Sequence, residues 1–360
     1  MHMTRAQRIA SSADADATVI ANGTSPFLDT VFWYVTEQTS GTFEGSFAVI
    51  SGDGSLDVIT SGLEETAARK ALGNVHVYEK REERDSLLTE LLKGCTRIGI
   101  NGRCAVHNIA EYLKKITGAE LTDVSKDIAA VMAVKDAKEI SEIRKACKIS
   151  SKTAERIPEL LYAGITEKEA AWLIDSDMRM NGGDGNAFET IAAFGKNSAE
   201  PHHRPGRAVL KKGDTALFDF GSKYGMYCSD LTRTVFFGRP EGILKRAYET
   251  VSKAQEAGMK EMYDGAPAKD AHNAASEIID AGDFKDMFIH SFGHGLGMNI
   301  HELPSVSHIS EDILRKGMTV SAEPGIYVKG KGGIRIEDTV LITKDGPERL
   351  TKFSRDITVI

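Results

Sequence analysis

Cysteine is scarce in this sequence. Four cysteines occur among 360 residues, and no two of them form a Cys-x-x-Cys pair. So few thiols cannot build a disulfide framework, and we expect a reducing, cytoplasmic location. Basic residues are not in excess either, because 52 aspartates and glutamates outnumber 45 lysines and arginines. Nucleic acid is therefore not expected as a partner, since phosphate binding requires a concentrated basic surface.

Long apolar runs are also missing. The longest, residues 128–134, is far shorter than the roughly 20 residues that a membrane-spanning helix requires. Residues 1–18 carry no apolar core of signal-peptide length. We therefore expect neither a membrane anchor nor a membrane partner. No His-Glu-x-x-His or Gly-x-Ser-x-Gly string occurs, so the usual signatures of single-zinc proteases and serine hydrolases are absent.

The length favours two domains. Residues 1–125 alternate strand and helix patterns, which is typical of an α/β domain. Within it, residues 46–50 and 56–60 flank Gly52-Asp53-Gly54 and predict a β-hairpin. The aromatic and β-branched run 30–34 predicts a further strand.

The pattern of predicted helices and strands changes in the second domain. Residues 126–136 have mixed polarity and are interpreted as a linker to residues 137–360. A long helix is predicted over 137–161, and the capping box Thr166-x-x-Glu169 begins a second helix. Strand-like segments follow, and the same order of two helices and then strands occurs again from residue 243. This order indicates an α+β domain with an internal pseudo-duplication.

Two aspartates in the second domain are candidate metal ligands. Asp219 ends an apolar strand pattern, where a carboxylate is costly to bury unless a positive group pairs with it. Asp230 follows in the next strand pattern, and Gly221 and Gly225 between them permit a hairpin. Antiparallel strands would bring the two carboxylates side by side. The alternative to a metal-ligand role is that each aspartate is a turn residue or forms a salt bridge, for which Arg233 is a candidate partner.

One histidine and two glutamates extend the candidate set. His294 lies in the string Gly-His-Gly-Leu-Gly at 293–297, whose glycines allow the backbone to approach another group closely. A Rossmann phosphate loop does not fit, because no βαβ strand precedes this string. Glu323 and Glu337 lie in apolar strand patterns separated by a glycine-rich turn.

Four carboxylates and one imidazole cannot converge in a protein interior unaided. Their mutual repulsion would raise the carboxylate pKa values or unfold the site. Divalent cations remove this conflict, and two ions bridged by carboxylates fit four acidic ligands better than one ion does. A set rich in oxygen with a single histidine favours Mn²⁺, Co²⁺ or Zn²⁺ over metals that prefer thiolates.

Six short segments of this domain carry a resemblance to a known family. They are Asp219-Phe220-Gly221, Ser229-Asp230-Leu231-Thr232-Arg233-Thr234, Gly293-His294-Gly295-Leu296-Gly297, His301-Glu302-Leu303-Pro304, Glu323-Pro324-Gly325 and Arg335-Ile336-Glu337-Asp338. In order and spacing they resemble the pita-bread metallopeptidases, in the branch of prolidases and Xaa-Pro aminopeptidases. The match covers essentially the whole second domain, and residues 1–125 resemble that branch's creatinase-type N-terminal domain.

The resemblance implies two divalent metal ions per subunit, with Mn²⁺ or Co²⁺ favoured and Zn²⁺ as an alternative. By family analogy, Asp230 and Glu337 bridge the ions. Asp219 completes one side, and His294 with Glu323 completes the other. A hydroxide between the ions is then the nucleophile, and Glu323 passes the water proton to the proline nitrogen.

Residues 197–202 resemble the family loop that bears a substrate-facing histidine. We assign this role to His202 and not to the adjacent His203, because His202 follows the proline and keeps the offset to Asp219. Glu200 departs from the apolar residue that the family usually has there. The resemblance implies that His202 stabilises the developing oxyanion or the adjacent group.

Two further residues carry over from the family. His301 resembles the second substrate-facing histidine, which contacts the residue after the scissile bond. Arg335 resembles a site arginine that either binds substrate or pairs with a ligand carboxylate. We interpret His290, His308 and Tyr227 as structural or rim residues.

The expected activity is hydrolysis of Xaa-Pro dipeptides, with an Xaa-Pro aminopeptidase acting on longer peptides as the alternative. A methionine aminopeptidase is disfavoured by the large N-terminal domain, and a creatinase-like hydrolase by the full ligand set. A non-catalytic pita-bread module that binds peptides or proteins is the alternative of a different class, although such proteins typically lose metal ligands. The resemblance also implies a homodimer.

Overall fold

The computed structural model describes residues 3–240 and 242–360. The described chain divides into two compact units, with the boundary between Met132 and Ala133. The first unit is of the α/β type and the second of the α+β type, which confirms the fold class expected from the sequence. Among the described residues, no helix combines the length and apolar character needed to cross a membrane.

The first unit contains a mixed sheet and the helices of one α/β domain. Its strands are β1 (Ala17–Ala21), β2 (Phe47–Ser51), β3 (Leu56–Ser61), β4 (Asn74–Tyr78), β5 (Arg97–Ile100) and β6 (Glu120–Asp123). Its helices are α1 (Arg5–Ser12), α2 (Thr30–Thr36), α3 (Glu65–Ala68), α4 (Arg81–Leu91), α5 (His107–Thr117) and α6 (Ser125–Ala133). Within residues 17–123 the strand order is β4-β3-β2-β1-β5-β6. Strands β2 and β3 pair antiparallel, which confirms the predicted hairpin.

The run 30–34 is a helix, so the predicted strand is wrong. Helix α2 begins at an Asp29 cap, whose side chain accepts a hydrogen bond from the backbone N–H of Val31, and it ends at Glu37 in the left-handed region. All of its residues after Thr30 are buried. Aromatic and β-branched residues are common in strands because they pack well there, and a buried, capped helix satisfies the same packing requirement.

The segment interpreted as a linker is largely helical. Helix α6 occupies most of residues 126–136, and Ile128 and Met132 are buried on it. The next helix starts immediately afterwards, because Asp136 forms a capping box with Glu139. The mixed polarity of this segment therefore belongs to an amphipathic helix.

The second unit repeats an order of two helices followed by strands. Its helices are α7 (Ala137–Leu160), α8 (Glu167–Met180), α9 (Gly242–Lys260) and α10 (Ala268–Asp280). Its strands are β7 (Gly185–Asn186), β8 (Ile191–Phe194), β9 (Thr215–Phe220), β10 (Ser222–Tyr224), β11 (Tyr227–Cys228), β12 (Leu231–Phe236), β13 (Gly293–Gly295), β14 (Glu302–Val306), β15 (Thr319–Ala322), β16 (Gly325–Val328), β17 (Gly332–Arg335), β18 (Asp338–Thr343) and β19 (Gly346–Arg349). The predicted capping box at Thr166 and Glu169 is present and starts α8.

The strands of the second unit form several small sheets. Over the described residues their orders are β12-β9-β8, β14-β13-β15-β18-β19, β11-β10-β7 and β16-β17. One apolar cluster packs α7 and α8 on the first of these sheets. Another packs α9 and α10 on the second. Each helix pair therefore covers one sheet, and the polar residues described next lie at the ends of these strands.

Candidate active site

Two antiparallel strands hold the aspartates together. Strand β9 pairs with β12 in a register that places Thr232 opposite Asp219, two residues after Asp230. The approach is close at Gly221, where a Cβ atom would lie 1.9 Å from the carbonyl oxygen of Ser229. Glycine is therefore required at this position, and the proximity of the two carboxylates expected from the sequence is present. Strands β10 and β11 form a small hairpin of their own between them.

The histidine and the glutamates come from the second sheet. His294 lies in β13, and its backbone N–H donates to the hydroxyl of Ser321, 2.9 Å away. The same hydroxyl donates to Oε1 of Glu323, which directly follows β15. A Cβ on Gly293 would lie 2.0 Å from the carbonyl oxygen of Ser321. The glycine beside His294 thus allows β13 to reach β15, which brings the imidazole to the glutamate.

The five candidate ligands line one cavity of about 340 Å³. Nε2 of His294 is 3.2 Å from Oε1 of Glu323 and 3.6 Å from Oδ2 of Asp230. Ligand atoms of Asp230, His294 and Glu337 lie within 4.8 Å of one another. Asp219 faces the same cavity. The structure therefore brings together all five residues that the sequence nominated.

Three carboxylate oxygens in this cavity are buried without a partner. They are Oδ1 of Asp219, Oδ1 of Asp230 and Oε1 of Glu337, and none of them has a hydrogen bond within the described residues. A buried anion without a partner is strongly disfavoured. Oxygen atoms from three carboxylates and a nearby imidazole are the donor set of Mn²⁺, Co²⁺ and Zn²⁺. These residues therefore fit divalent cations.

Without cations, burial and mutual repulsion shift the pKa values of these carboxylates. Burial, followed by the charge of Glu337, raises the pKa of Asp230 well above its usual range. Burial, followed by the charge of Glu323, does the same to the pKa of Glu337. Burial alone would also raise the pKa of Glu323, but its contact with His294 lowers that pKa to about 2. The imidazole of His294 thus favours the ionised form of Glu323, whereas burial and mutual repulsion disfavour the ionised forms of Asp230 and Glu337.

The adjacent histidines 202 and 203 have different surroundings. His202 lines the cavity. His203 is paired instead with two carboxylates outside the cavity lining. Its Nε2 is 2.9 Å from Oε2 of Glu167, and its Nδ1 is 3.1 Å from Oε2 of Glu200. His202 thus shares a cavity with the candidate ligands, and Glu200, which departs from the family pattern, supplies a partner for His203.

The pairing of His203 predicts a pH-dependent contribution to stability. Burial lowers its pKa, but Glu167 and Glu200 outweigh burial, so the pKa lies above the usual value. This contribution is complete below about pH 6.5 and is lost as the pH rises through the higher folded pKa. We expect His203→Gln to lower the free energy of unfolding more at about pH 6 than at about pH 9. Chemical denaturation at both pH values measures the difference, and a destabilisation that grows with pH contradicts this pairing.

His301 and Arg335 also reach the cavity. The His301 ring lies 4.3 Å from the His294 ring, centroid to centroid. The Arg335 side chain is 3% exposed, and its Nη2 donates to Oδ2 of Asp219 at 2.6 Å. Its Nη1 donates to the hydroxyl of Tyr327, and its Nε donates to the hydroxyl of Thr232. All three nitrogen atoms of the guanidinium therefore donate hydrogen bonds to groups of the protein itself.

Sequence reasoning missed several residues of this cavity. His290, interpreted as a structural or rim residue, lines it and contacts the hydroxyl of Tyr327 at 2.9 Å. Phe188, Ile191 and Ile300 form apolar parts of its wall. A single sequence offers little signal for these residues, because isolated aromatic and aliphatic side chains are the ordinary content of a core. His290 lies four residues before His294, which is the one cue that proximity in the chain supplies.

The fold and the site together define a class of protein: an enzyme that holds divalent cations in a buried cluster of carboxylates and one imidazole. Comparison with known families gives the same class. The model of metallopeptidase family M24 matches residues 141–344, and that of the creatinase/prolidase N-terminal domain matches residues 3–134. This chain belongs to metallopeptidase family M24.

Individual relatives cover nearly the whole chain. The Xaa-Pro dipeptidase of Pyrococcus furiosus is 35% identical over 313 residues, which are 87% of this chain and 89% of the relative. The Xaa-Pro dipeptidase structure from Bacillus anthracis has a TM-score of 0.92 at 28% identity and covers 99% of both chains. The X-Pro aminopeptidase structure from Thermotoga maritima has a TM-score of 0.91 at 30% identity, covering 98% of this chain and 100% of its own.

Proposed function

We propose that this chain hydrolyses the Xaa-Pro bond of dipeptides with the help of two divalent metal ions, Mn²⁺ or Co²⁺. The observation that carries the proposal is the convergence of five ligand side chains, three of them with unpartnered buried oxygens, on one cavity. The similarity to Xaa-Pro dipeptidases supports the substrate class.

The cavity supports a short substrate. Its volume of about 340 Å³ lies near the lower end of the range for small-molecule sites. An Xaa-Pro bond is a tertiary amide without an N–H, and the proline ring fixes the backbone angle φ. Metal ions that bind the carbonyl oxygen need no amide hydrogen, so a metal site suits such a substrate. An Xaa-Pro aminopeptidase is the second candidate, which the similarity to the Thermotoga maritima structure favours.

Asp219, Asp230, His294, Glu323 and Glu337 would hold the ions. When bound, these ions polarise the scissile carbonyl and lower the pKa of water. Glu323, which lines the cavity beside His294, accepts the proton of the attacking water and delivers it to the proline nitrogen. His202 donates a hydrogen bond toward the oxygen on which negative charge develops. His301 contacts the residue after the scissile bond.

Arg335 acts on the site through Asp219. Its guanidinium already donates to Asp219, Tyr327 and Thr232. These contacts favour the ion-pair role over direct substrate binding, because few donors remain for a ligand. We also propose a cytoplasmic location, based on the sparse cysteines, and a homodimer, based on the family resemblance.

Hydrolysis of two matched peptides tests the proposed substrate. With added Mn²⁺ or Co²⁺, we expect the chain to cleave Ala-Pro and to leave Ala-Pro-Ala-Ala intact, because a cavity of about 340 Å³ suits a short substrate. Amino-acid analysis of the products measures both reactions. Cleavage of the longer peptide would establish the aminopeptidase alternative, and cleavage of neither peptide would contradict both.

A further inference from the structure

A buried ion pair lies outside the cavity lining and outside the candidate ligand set. Nζ of Lys135 is 2.9 Å from Oε2 of Glu302, and the two side chains are 0% and 7% exposed. The ammonium also donates to the carbonyl oxygen of Ala133 at 3.2 Å. The backbone N–H of Lys135 donates to the carbonyl oxygen of Gly317 at 3.0 Å. The cation is therefore fixed at both its backbone and its head group.

The anion of this pair holds the segment that carries His301. Oε1 of Glu302 accepts from the backbone N–H of Asn299 at 3.0 Å, so one carboxylate closes the loop between these residues. The loop contributes Ile300 and His301 to the cavity wall. At its start, a Cβ on Gly297 would lie 2.5 Å from Oε2 of Glu302, which shows how tightly the carboxylate packs against the backbone.

In the sheet, the backbone of Glu302 pairs beside a candidate metal ligand, His294. Strands β13 and β14 pair with Gly295 opposite Glu302, and their register shifts between His294 and Gly295. An irregular pairing specifies the position of a strand less firmly than a regular ladder does. The Glu302 carboxylate, held by Lys135, adds a constraint on the position of this strand pair that the irregular ladder does not supply.

We propose that the Lys135–Glu302 ion pair is a positioning device that sets the location of His301 in the substrate cavity. This inference rests on the proposed function, in which His301 contacts the substrate. Neither Lys135 nor Glu302 lines the cavity, so both act through the loop. A buried charge pair suits this task, because each charge tolerates few positions other than the one that satisfies its partner.

Removal of either charge tests the proposal. Lys135→Met keeps the aliphatic stem and removes the ammonium. Glu302→Gln keeps the size and the acceptor for Asn299, and it serves as the milder variant if Lys135→Met does not fold. We expect kcat/KM on Ala-Pro to fall about 10- to 100-fold, the effect of a displaced substrate-positioning group. The bound metal, measured by elemental analysis, should stay at the wild-type level.

A matched control separates positioning from the general loss of an ion pair. Arg144 and Glu348 form an exposed ion pair in the same unit, with side chains 43% and 38% exposed. Arg144→Met removes a cation of similar length far from the loop in sequence. We expect this variant to keep kcat/KM within about twofold of wild type, as is usual for surface pairs.

A double-mutant cycle with His301→Ala identifies the residue through which the pair acts. If the pair positions His301, Lys135→Met should cost less than about twofold in the His301→Ala background. A merely structural role predicts that the two effects multiply. Multiplying effects in this cycle would overturn the proposal.

A crystal structure of Lys135→Met provides a readout that needs no activity. We expect the His301 ring to leave its position 4.3 Å from the His294 ring, while the five candidate ligands superpose on the wild type. An unmoved ring would overturn the proposal even if activity fell. Failure of the wild type to cleave Ala-Pro would instead contradict the proposed function, and the position of the ring would still decide the role of the ion pair.

Discussion

Glu323→Gln is expected to reduce kcat on Ala-Pro by about 10³-fold, within the range that a positioned acid–base group contributes. The glutamine keeps the size of the side chain and its contact with the Ser321 hydroxyl. It cannot accept a proton from water or pass one to the proline nitrogen. Steady-state kinetics with saturating Mn²⁺ measure the effect.

The control for this variant is a carboxylate outside the cavity. Glu200→Gln makes the same chemical change at a side chain that is 70% exposed and contacts His203. We expect its kcat to stay within about twofold of wild type, as is usual for surface substitutions. Because Glu323 is also a candidate ligand, the metal content of each variant is determined in parallel. Normal turnover by metal-loaded Glu323→Gln would exclude this residue as the proton carrier.

Complete removal of metal with EDTA is expected to abolish activity, and Mn²⁺ or Co²⁺ should restore it. Binding should also stabilise the fold, because the cations neutralise carboxylates that are buried without partners. At a metal concentration 100 times Kd, the linkage contribution is about 2.7 kcal/mol for each ion. For a unit of this size, each ion would therefore raise Tm by roughly 5–10 °C. Differential scanning calorimetry with and without metal measures the shift.

Asp230→Asn tests whether the nominated ligands cause this effect. The amide removes a buried charge whose neighbour, Glu337, repels it. We therefore expect the metal-free variant to be at least as stable as the metal-free wild type, but to lose most of the metal-induced rise in Tm. Asp283→Asn, at a side chain that is 65% exposed, should keep the full rise.

For the EDTA experiment, activity that survives verified metal removal would rule out the mechanism.

Local sequence signals predicted the elements whose cause is local. The capping box at Thr166 and Glu169 starts α8 as expected, and the turn at Gly52-Asp53-Gly54 joins β2 to β3. In both cases the residues that stabilise the conformation are neighbours in the chain. The run 30–34 shows the limit, because its composition fits a strand and its cap and burial make it a helix.

The candidate ligands were also visible in the sequence, for a different reason. Acidic residues within apolar strand patterns are costly to bury, so their presence alone signals a compensating charge. The glycines around His294 signalled a close approach, which the structure shows against the backbone of Ser321. The sequence could not supply the distances, because the two aspartates and the His294–Glu323 pair come from different sheets and meet only when those sheets pack together.

The sequence by itself determined which side chains are candidate ligands for cations, since residue type and order carry that chemistry. Only the tertiary structure decided which neighbours those side chains and their surroundings acquire. It paired His203 with Glu167, fixed Arg335 on Asp219 and brought Lys135 to Glu302. The physical reason is that an ion pair depends on distance in space, and residues far apart in the chain come within a few ångströms only when the sheets have packed.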